Sequence, residues 1–175
     1  FDDLYGEVGA KEPANAEMEK REDDSVRGTG RDTVETLKHY REIMTKPVKG
    51  ERAKFPAGKL GDQLKDVAQV MRADAGLELA CVDVGGWDDH VNEGGSEGNL
   101  ADRLKILGDA LGAFATDIGD RLDDTLILCM SEFGRTAREN GNSGTDHGHG
   151  GFMFLLAGKV NGGTVHGKWN GLKDE

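Results

Sequence analysis

Cysteine and proline are scarce in this chain, with two and three residues respectively among 175. Cys81 and Cys129 each lie inside an apolar run, so we expect two small buried hydrophobic residues and not a disulfide or a pair of metal ligands. Two cysteines in such settings do not identify a redox compartment. The sequence also has no apolar stretch long enough to span a bilayer, so we expect no transmembrane segment.

Basic residues are also few relative to acidic ones. Lys and Arg total 22 and Asp and Glu total 33, and 22 minus 33 gives a net charge of −11. Nucleic-acid binding requires a basic surface that meets the phosphates, so the charge argues against a nucleic-acid partner. The same charge disfavours binding to an anionic membrane surface. It is compatible with a protein that holds cations.

Glycine is abundant, with 27 residues that cluster after residue 84 and indicate functional loops. Residues 1–56 are polar and charged, and they predict a helical or loop segment with a short helix over Asp32–Met44. Residues 57–175 predict part of an α/β domain. We expect this domain to be incomplete at both ends, because the chain starts without methionine and ends just after the turn-like Trp169–Gly171.

The apolar pattern of residues 57–175 predicts alternating helices and strands. Helical spacing begins at Lys59 and returns over Leu100–Ile118. Short apolar runs predict buried strands at Leu77–Val84, Thr125–Met130 and Phe152–Ala157. This order predicts a doubly wound, mainly parallel sheet with helices on both faces. Ligands of such sheets bind beyond the carboxyl ends of the strands, so we expect the loops at 85–98 and 131–151 to lie at one edge.

These two predicted loops carry three of the five histidines, with several carboxylates beside them. Neutral imidazole and carboxylate together suit a divalent metal, with zinc as the leading candidate and manganese or iron as alternatives. The surrounding glycines allow the backbone to approach an ion closely. The candidate ligands are Asp88, His90, Glu132, Asp146, His147 and His149, with Asp83 as a further candidate.

Each of these residues also has a structural interpretation. Asp88 is a common type of turn residue, and His90 alone is typical of a surface histidine. Glu132 directly follows a predicted buried strand, where a carboxylate is costly unless it is paired or lies at an open edge. Arg135 is interpreted either as a salt bridge to nearby carboxylates or as a clamp on the oxygens of a phosphate or sulfate group.

Three motifs in these loops carry a resemblance to a known family. Gly86–His90 resembles the Gly-(Trp/Phe)-Asp-Thr-His motif of a large bacterial family of unknown function, number fifteen-oh-one. Ser131–Thr136 is similar to the second motif of that family, and Asn140–Gly148 is similar to the third. The order and spacing agree over about residues 77–172, and Phe1–Gly6 also resembles the family.

That family is identified as a member of the alkaline-phosphatase/sulfatase superfamily, which implies an alkaline-phosphatase-like sheet and one or two divalent metals. The resemblance places His90 in the first metal motif and gives His147 or His149 the downstream role. It puts Glu132 and Phe133 where an Asp-His pair is expected. Phenylalanine cannot ligate a metal, so the second ion would be missing or held differently. The superfamily's nucleophile has no matching position in this chain, so Ser131 and Thr136 are possible nucleophiles by location, and a nucleophile upstream is the alternative.

The resemblance implies a metal-dependent hydrolase acting on a small phosphate or sulfate ester, with Arg135 as the oxyanion clamp and an unknown nucleophile. An alternative is a non-catalytic, exported binding or assembly module that keeps the fold and one metal. A third interpretation is that no metal binds and the motifs build a hydrogen-bonded core of loops. Members of the family commonly begin with a twin-arginine export signal, which implies a periplasmic or exported location, although no signal is visible in this chain. No oligomeric state is predicted.

Overall fold

The computed structural model describes residues 13–46, 53–168 and 171, and the chain divides into two units, residues 1–47 and 48–175. The first unit contains one helix, α1 (Pro13–Thr45), which includes the helix predicted over Asp32–Met44. It ends before Pro47, as expected because proline disfavours helical backbone at the residue before it. The family-like Phe1–Gly6, residues 47–52, and Trp169 and Asn170 lie outside the described residues.

The hydrophobic core of the second unit lies between two helices, α2 (Lys59–Arg72) and α3 (Asn99–Ile118). The predicted apolar face of α2 is confirmed, and fully buried Ala68 and Ala110 allow the two helices to approach closely. The N-terminal half of α3 is less buried than its pattern predicts, since Leu104 is exposed. The buried core residues are Leu60, Leu64, Ala68, Ala110, Phe114 and Ile118.

A buried ion pair joins the C-terminal ends of these helices. Arg72 Nη1 lies 2.6 and 2.5 Å from the two carboxylate oxygens of Asp117. The Asp117 side chain is only 1% exposed, so its charge requires this partner. Removing one member of such a pair costs about 3–5 kcal/mol, because the other charge is left buried without compensation.

Four short strands follow α3 and a 3₁₀ turn at Gly119–Asp124. β1 (Ile127–Cys129) pairs antiparallel with β4 (Phe154–Leu156), in the register Ile127 to Leu156 and Cys129 to Phe154. Ile127 packs against the helical core, which places the β1–β4 pair beside α2 and α3. Both strands fall within predicted strand segments, at 125–130 and 152–157, and both are shorter than predicted.

The strand predicted at Leu77–Val84 is not formed. These residues have no strand partner among the described residues, and Leu79 is 79% exposed. Only Val82 packs against the core, because the helices cover one side of the segment and no neighbouring strand covers the other. The doubly wound parallel sheet remains a prediction, since the described sheets are two small antiparallel pairs.

Both cysteines are free thiols, and the prediction that both are buried is wrong for Cys81, which is exposed. Cys81 lies on the unpaired segment 77–84, which explains its exposure. Cys129 is half-buried on β1, and burial raises the pKa of its thiol. Among the described residues, no helix has the length and apolar character needed to cross a membrane.

The segment predicted as a single loop, residues 131–151, contains a β-hairpin instead. β2 (Gly134–Glu139) pairs antiparallel with β3 (Thr145–Gly148), with Gly134 opposite Gly148. The two glycines face each other at very short range, since a Cβ on Gly134 would lie 2.7 Å from the Gly148 carbonyl oxygen. The hairpin turns at Asn140–Gly144 and carries three of the candidate site residues, Arg135, Asp146 and His147.

Candidate metal centre

The β2–β3 hairpin is joined by backbone hydrogen bonds to the loop that carries the first motif. The Thr145 amide donates to the Asp89 carbonyl at 3.1 Å, and the Glu93 amide donates to the Ser143 carbonyl at 2.9 Å. The Thr145 hydroxyl donates to the Glu93 carboxylate at 2.7 Å. The loops at 85–98 and 131–151 therefore meet, and we expected them to lie at one edge. The contact is made through a hairpin and not through the ends of parallel strands.

Gly144 lies at the closest approach of the two loops. A Cβ added there would lie 2.3 Å from the His90 carbonyl carbon and 2.6 Å from the Asp89 carbonyl oxygen. Only glycine allows this contact, because every other residue brings a Cβ. The Asn140 side chain bridges the same two segments. Its Nδ2 donates to the His90 carbonyl at 2.9 Å, and its Oδ1 accepts from the Gly144 amide at 3.1 Å.

The first loop is anchored on its other side to α3. Asp89 is 6% exposed, and its carboxylate is held in a close ion pair with Arg103. Asp88 and Asp89 therefore differ in environment although they are adjacent in sequence: Asp89 is turned inward to α3, and Asp88 is exposed on the side of the hairpin. The buried pair fixes the backbone from which Asp88 and His90 project.

Three side chains converge at the contact between loop and hairpin. Asp88 Oδ1 lies 2.9 Å from His90 Nε2 and 2.8 Å from His147 Nε2. One potential ligand atom from each of Asp88, His90 and His147 lies within 4.8 Å of the other two. The loop supplies the first two residues and β3 supplies the third. In the described part of the chain, this is the one group of three or more His, Cys, Asp or Glu residues with such geometry.

Arg135 connects this cluster to the backbone of both loops. Its Nη2 donates to Asp88 Oδ1 and to the Trp87 carbonyl, both at 2.9 Å, and its Nη1 donates to the Thr145 carbonyl at 2.7 Å. Arg135 lies opposite His147 in the hairpin register, and opposite residues in an antiparallel pair project from the same face. The guanidinium and the imidazole therefore reach Asp88 from one side.

The His147 ring is held by an aromatic stack. Its centroid lies 4.1 Å from that of Phe133, with the planes 15° apart. The His90 ring lies 5.0 Å from the His147 ring, and the Arg135 guanidinium lies 5.4 Å from the centre of the Phe133 ring. Phe133 thus packs beside the cluster and restricts the rotation of His147.

The electrostatics favour an ionised carboxylate at the centre of the cluster. The hydrogen bond from His147 is the largest influence that lowers the pKa of Asp88, and the charges of His90, His147 and Arg135 add to it. The pKa of Asp146 is also lowered, first by the hydrogen bond from Asn140 and then by that from His90. Two carboxylates therefore stay charged in mildly acidic solution, which is the form that binds a cation.

The donor set fits a single divalent ion. Two imidazole nitrogens and one carboxylate oxygen are the protein ligands of several catalytic zinc sites, which leave a fourth position open. A tetrahedral ion at about 2.0–2.1 Å sets its ligand atoms roughly 3.3 Å apart. The separations of Asp88 Oδ1 from His90 Nε2 and His147 Nε2, 2.9 and 2.8 Å, are about half an ångström shorter than this, and all three ligand atoms lie within 4.8 Å of one another.

The predicted ligands divide into three sets. Asp88, His90 and His147 are brought together. Asp146 is outside the cluster but contacts one of its members, since its Oδ1 lies 3.0 Å from His90 Nδ1. The described residues show no metal-binding group that includes Asp83, Glu132 or His149, all of which are exposed.

The hydroxyl groups near the cluster already have backbone partners. Ser131 Oγ donates to the Phe133 carbonyl at 2.6 Å, and Thr136 Oγ1 donates to the Arg138 carbonyl at 3.0 Å. The Thr136 oxygen also accepts from the Asp146 amide at 3.2 Å. These contacts cap the turn and the hairpin, so the described structure gives neither hydroxyl the setting of an activated nucleophile, which requires an adjacent base.

The sequence profile of one family, described as Protein of unknown function (DUF1501), matches residues 3–175. The chain belongs to the DUF1501 family. The match spans all three motifs that meet at the cluster. Comparison with curated proteins found no match, and comparison with solved structures found none either.

Two residues of this DUF1501 site were not predicted from the sequence. Asn140 connects the hairpin turn to His90, and Arg103 anchors the loop through Asp89. The Asn140-Gly141 dipeptide is a strong hairpin signal and could have revealed the turn. No sequence pattern indicates the Arg103 contact, because it joins positions 14 residues apart across a loop and a helix.

Proposed function

We propose that this DUF1501 protein is a metal-dependent hydrolase acting on phosphate or sulfate esters, with one divalent ion held by Asp88, His90 and His147. The convergence of these three side chains carries the proposal. The ester class and the relationship to the alkaline-phosphatase/sulfatase superfamily rest on the resemblance of the three motifs. Zinc is the favoured ion because two imidazoles and a carboxylate suit it.

The chain's own residues would hold and orient the ion. His90 and His147 would each offer Nε2, and Asp88 would offer Oδ1, the atom at which both imidazoles meet. A divalent ion at such a site polarises an ester oxygen and lowers the pKa of bound water. The exposure of Asp88 and His147 leaves one side open to a small anionic substrate.

We assign Arg135 a positioning role in this site. Its contacts to Trp87, Asp88 and Thr145 fix the carboxylate that would bind the ion. The alternative, a clamp on the oxygens of the transferring group, requires the guanidinium to face the substrate. Arg135→Lys distinguishes the two roles, because one ammonium cannot reproduce three contacts in different directions. A loss of metal affinity indicates positioning, whereas an unchanged affinity with a raised KM indicates the clamp.

The second candidate function is a non-catalytic, exported module that retains one metal. It is favoured by Phe133, which stands where the resemblance expects a histidine and stacks on His147. Phe133→His would place a third imidazole beside the cluster. A gain of metal without any gain of ester hydrolysis would favour this candidate. Fractionation of the source cells tests the exported location that both candidates include, and a protein found only in the cytoplasm would contradict it.

The test of the proposal compares neighbouring histidines. Metal content per chain is measured by elemental mass spectrometry after purification without chelator or nickel resin, together with hydrolysis of chromogenic phosphate and sulfate esters. His90→Ala and His147→Ala are expected to lose both the metal and the hydrolysis. His149→Ala is the matched control, since it is an exposed histidine two positions from His147 and outside the cluster, and it should retain both.

The outcomes separate the candidates. Metal and hydrolysis lost together in His90→Ala and His147→Ala, but kept in His149→Ala, support the hydrolase. Metal without hydrolysis in the wild type favours the non-catalytic module. A wild type that takes up no zinc, manganese or iron even after reconstitution contradicts both, and leaves the motifs as a hydrogen-bonded core of loops.

A further inference from the structure

Asp146 was predicted to be a metal ligand, and its contacts indicate a different role. Its Oδ1 lies 3.0 Å from His90 Nδ1, on the side of the ring opposite to the cluster. His90 Nε2, on the other side, lies 2.9 Å from Asp88 Oδ1. The two nitrogens of one imidazole are thus divided between two carboxylates, one inside the cluster and one outside it.

The protonation of the ring follows from these contacts. A neutral imidazole has one N–H donor and one lone pair, and an ionised carboxylate only accepts. Each nitrogen of His90 faces a carboxylate, so the ion decides between them. An ion beside Asp88 and His147 takes the lone pair of Nε2, which leaves the proton of a neutral ring on Nδ1, where it is donated to Asp146 Oδ1 at 3.0 Å. The lone pair that can bind an ion is then on Nε2, which faces Asp88 and His147.

Asn140 holds Asp146 in the orientation that this arrangement requires. Its Nδ2 lies 3.1 Å from the same Asp146 oxygen that contacts the imidazole, and it also donates to the His90 carbonyl at 2.9 Å. The ring, its carboxylate partner and the backbone of His90 therefore share one amide group. Carboxylates placed in this way behind ligating histidines fix the ring and raise its basicity.

We propose that Asp146 is a positioning residue that holds His90 in the Nδ1–H form, so that Nε2 is the metal-binding atom, and that Asp146 is not itself a ligand. This inference deepens the proposed function and rests on the ion that it places at Asp88, His90 and His147. His147 is oriented by a different contact, the stack on Phe133. The two histidines of one site are therefore held in place in different ways.

The experiment measures zinc affinity and the state of the His90 ring in the full chain. Zinc dissociation constants are determined by competition with a chelator for the wild type, Asp146→Asn, His90→Ala and Glu132→Gln. Glu132→Gln is the matched control, because it also removes one exposed negative charge near the hairpin but lies outside the cluster. Long-range proton–nitrogen NMR of the same proteins assigns which His90 nitrogen carries the proton and which binds zinc.

We expect Asp146→Asn to weaken zinc binding by roughly 10–100-fold, which is the usual effect of losing such a partner. We expect Glu132→Gln to bind as the wild type does, and the wild-type spectrum to show Nδ1–H with zinc on Nε2. Asp146→Asn affinity equal to that of the wild type, or reduced as far as that of His90→Ala, would overturn the inference. Zinc on Nδ1 would overturn it as well.

Failure of the proposed function gives a different pattern. If the wild type takes up no zinc, manganese or iron, the proposed ion site is refuted, but the His90 ring in metal-free protein in alkaline buffer still decides the role of Asp146. An Nδ1–H ring that is lost in Asp146→Ala supports the orienting contact. An Nε2–H ring in the wild type overturns it.

Discussion

Substitution of Gly144 by alanine is a test of how closely the two loops must approach for the site to form. The added Cβ would lie 2.3 Å from the His90 carbonyl carbon, whereas ordinary van der Waals contact begins at 3.4 Å. The difference between 3.4 and 2.3 Å means that the hairpin must recede from the loop by about 1.1 Å at this point. The backbone of Gly144 does not have a positive φ, so the effect is one of contact and not of backbone conformation.

That displacement is large compared with what a metal site accepts. Ligand distances in functional sites lie within about 0.2 Å of their preferred values. His147 is on the hairpin and Asp88 and His90 are on the loop, so the recession separates the ligands from one another. Misplacement of catalytic groups by about 1 Å can lower a reaction rate roughly 100-fold, and we use the same factor for ligands that must meet at one ion. We therefore expect Gly144→Ala to weaken zinc binding by about that factor.

The assay is zinc titration calorimetry, with circular dichroism to show that α2 and α3 remain folded. Gly141→Ala is the matched control, since it lies in the same turn, has no atom within 4 Å of its added Cβ and has no positive φ. The control should bind zinc as the wild type does. Equal affinity of Gly144→Ala and Gly141→Ala would refute the argument that the loop contact assembles the site.

Further predictions concern the helical core and the central carboxylate. Asp117→Asn removes the charged partner of Arg72, whose side chain is 17% exposed, and we expect urea unfolding to show a loss of about 3 kcal/mol, the lower end of the range for a buried pair. Asp109→Asn in the exposed Lys105–Asp109 pair on the same helix should lose less than about 1 kcal/mol. Similar losses in both variants would contradict this. In metal-free protein, carboxyl NMR should give Asp88 a pKa below its ordinary value of about 3.9, and His147→Ala should raise the pKa, because the His147 hydrogen bond is the main cause of the shift. Since the folded-state pKa is lowered, the contribution of Asp88 to stability is present above the unfolded-state value and is lost as pH falls through the folded-state pKa. An Asp88 pKa that does not respond to His147→Ala would refute the assignment.

The helices could be predicted from the sequence because their apolar spacing is long and regular. The pattern from Lys59 and that from Leu100 correspond to α2 and α3, whose apolar faces pack on each other. The strands were predicted less well. The run Leu77–Val84 has strand composition, but composition does not reveal whether a neighbouring strand is present, and none pairs with it among the described residues.

The candidate site was predictable in its residue types and only partly in its geometry. The two loops were correctly expected to meet, and Asp88, His90 and His147 were among the predicted ligands. Glu132, Asp146 and His149 were in the same predicted set because sequence proximity does not show which way a side chain points. The alternation of side chains along β3 distinguishes Asp146 from His147, because neighbours on a strand project to opposite faces of the hairpin.

Asp88, His90 and His147 are proposed to hold one divalent ion. The most direct measurement is anomalous diffraction at the zinc edge from crystals of the zinc-loaded protein. One peak is expected, about 2.0–2.2 Å from Asp88 Oδ1, His90 Nε2 and His147 Nε2, with Asp146 contacting His90 and Asn140 and not the ion. A peak coordinated by Glu132, Asp146 or His149, or no peak between the loop and the hairpin, would contradict it.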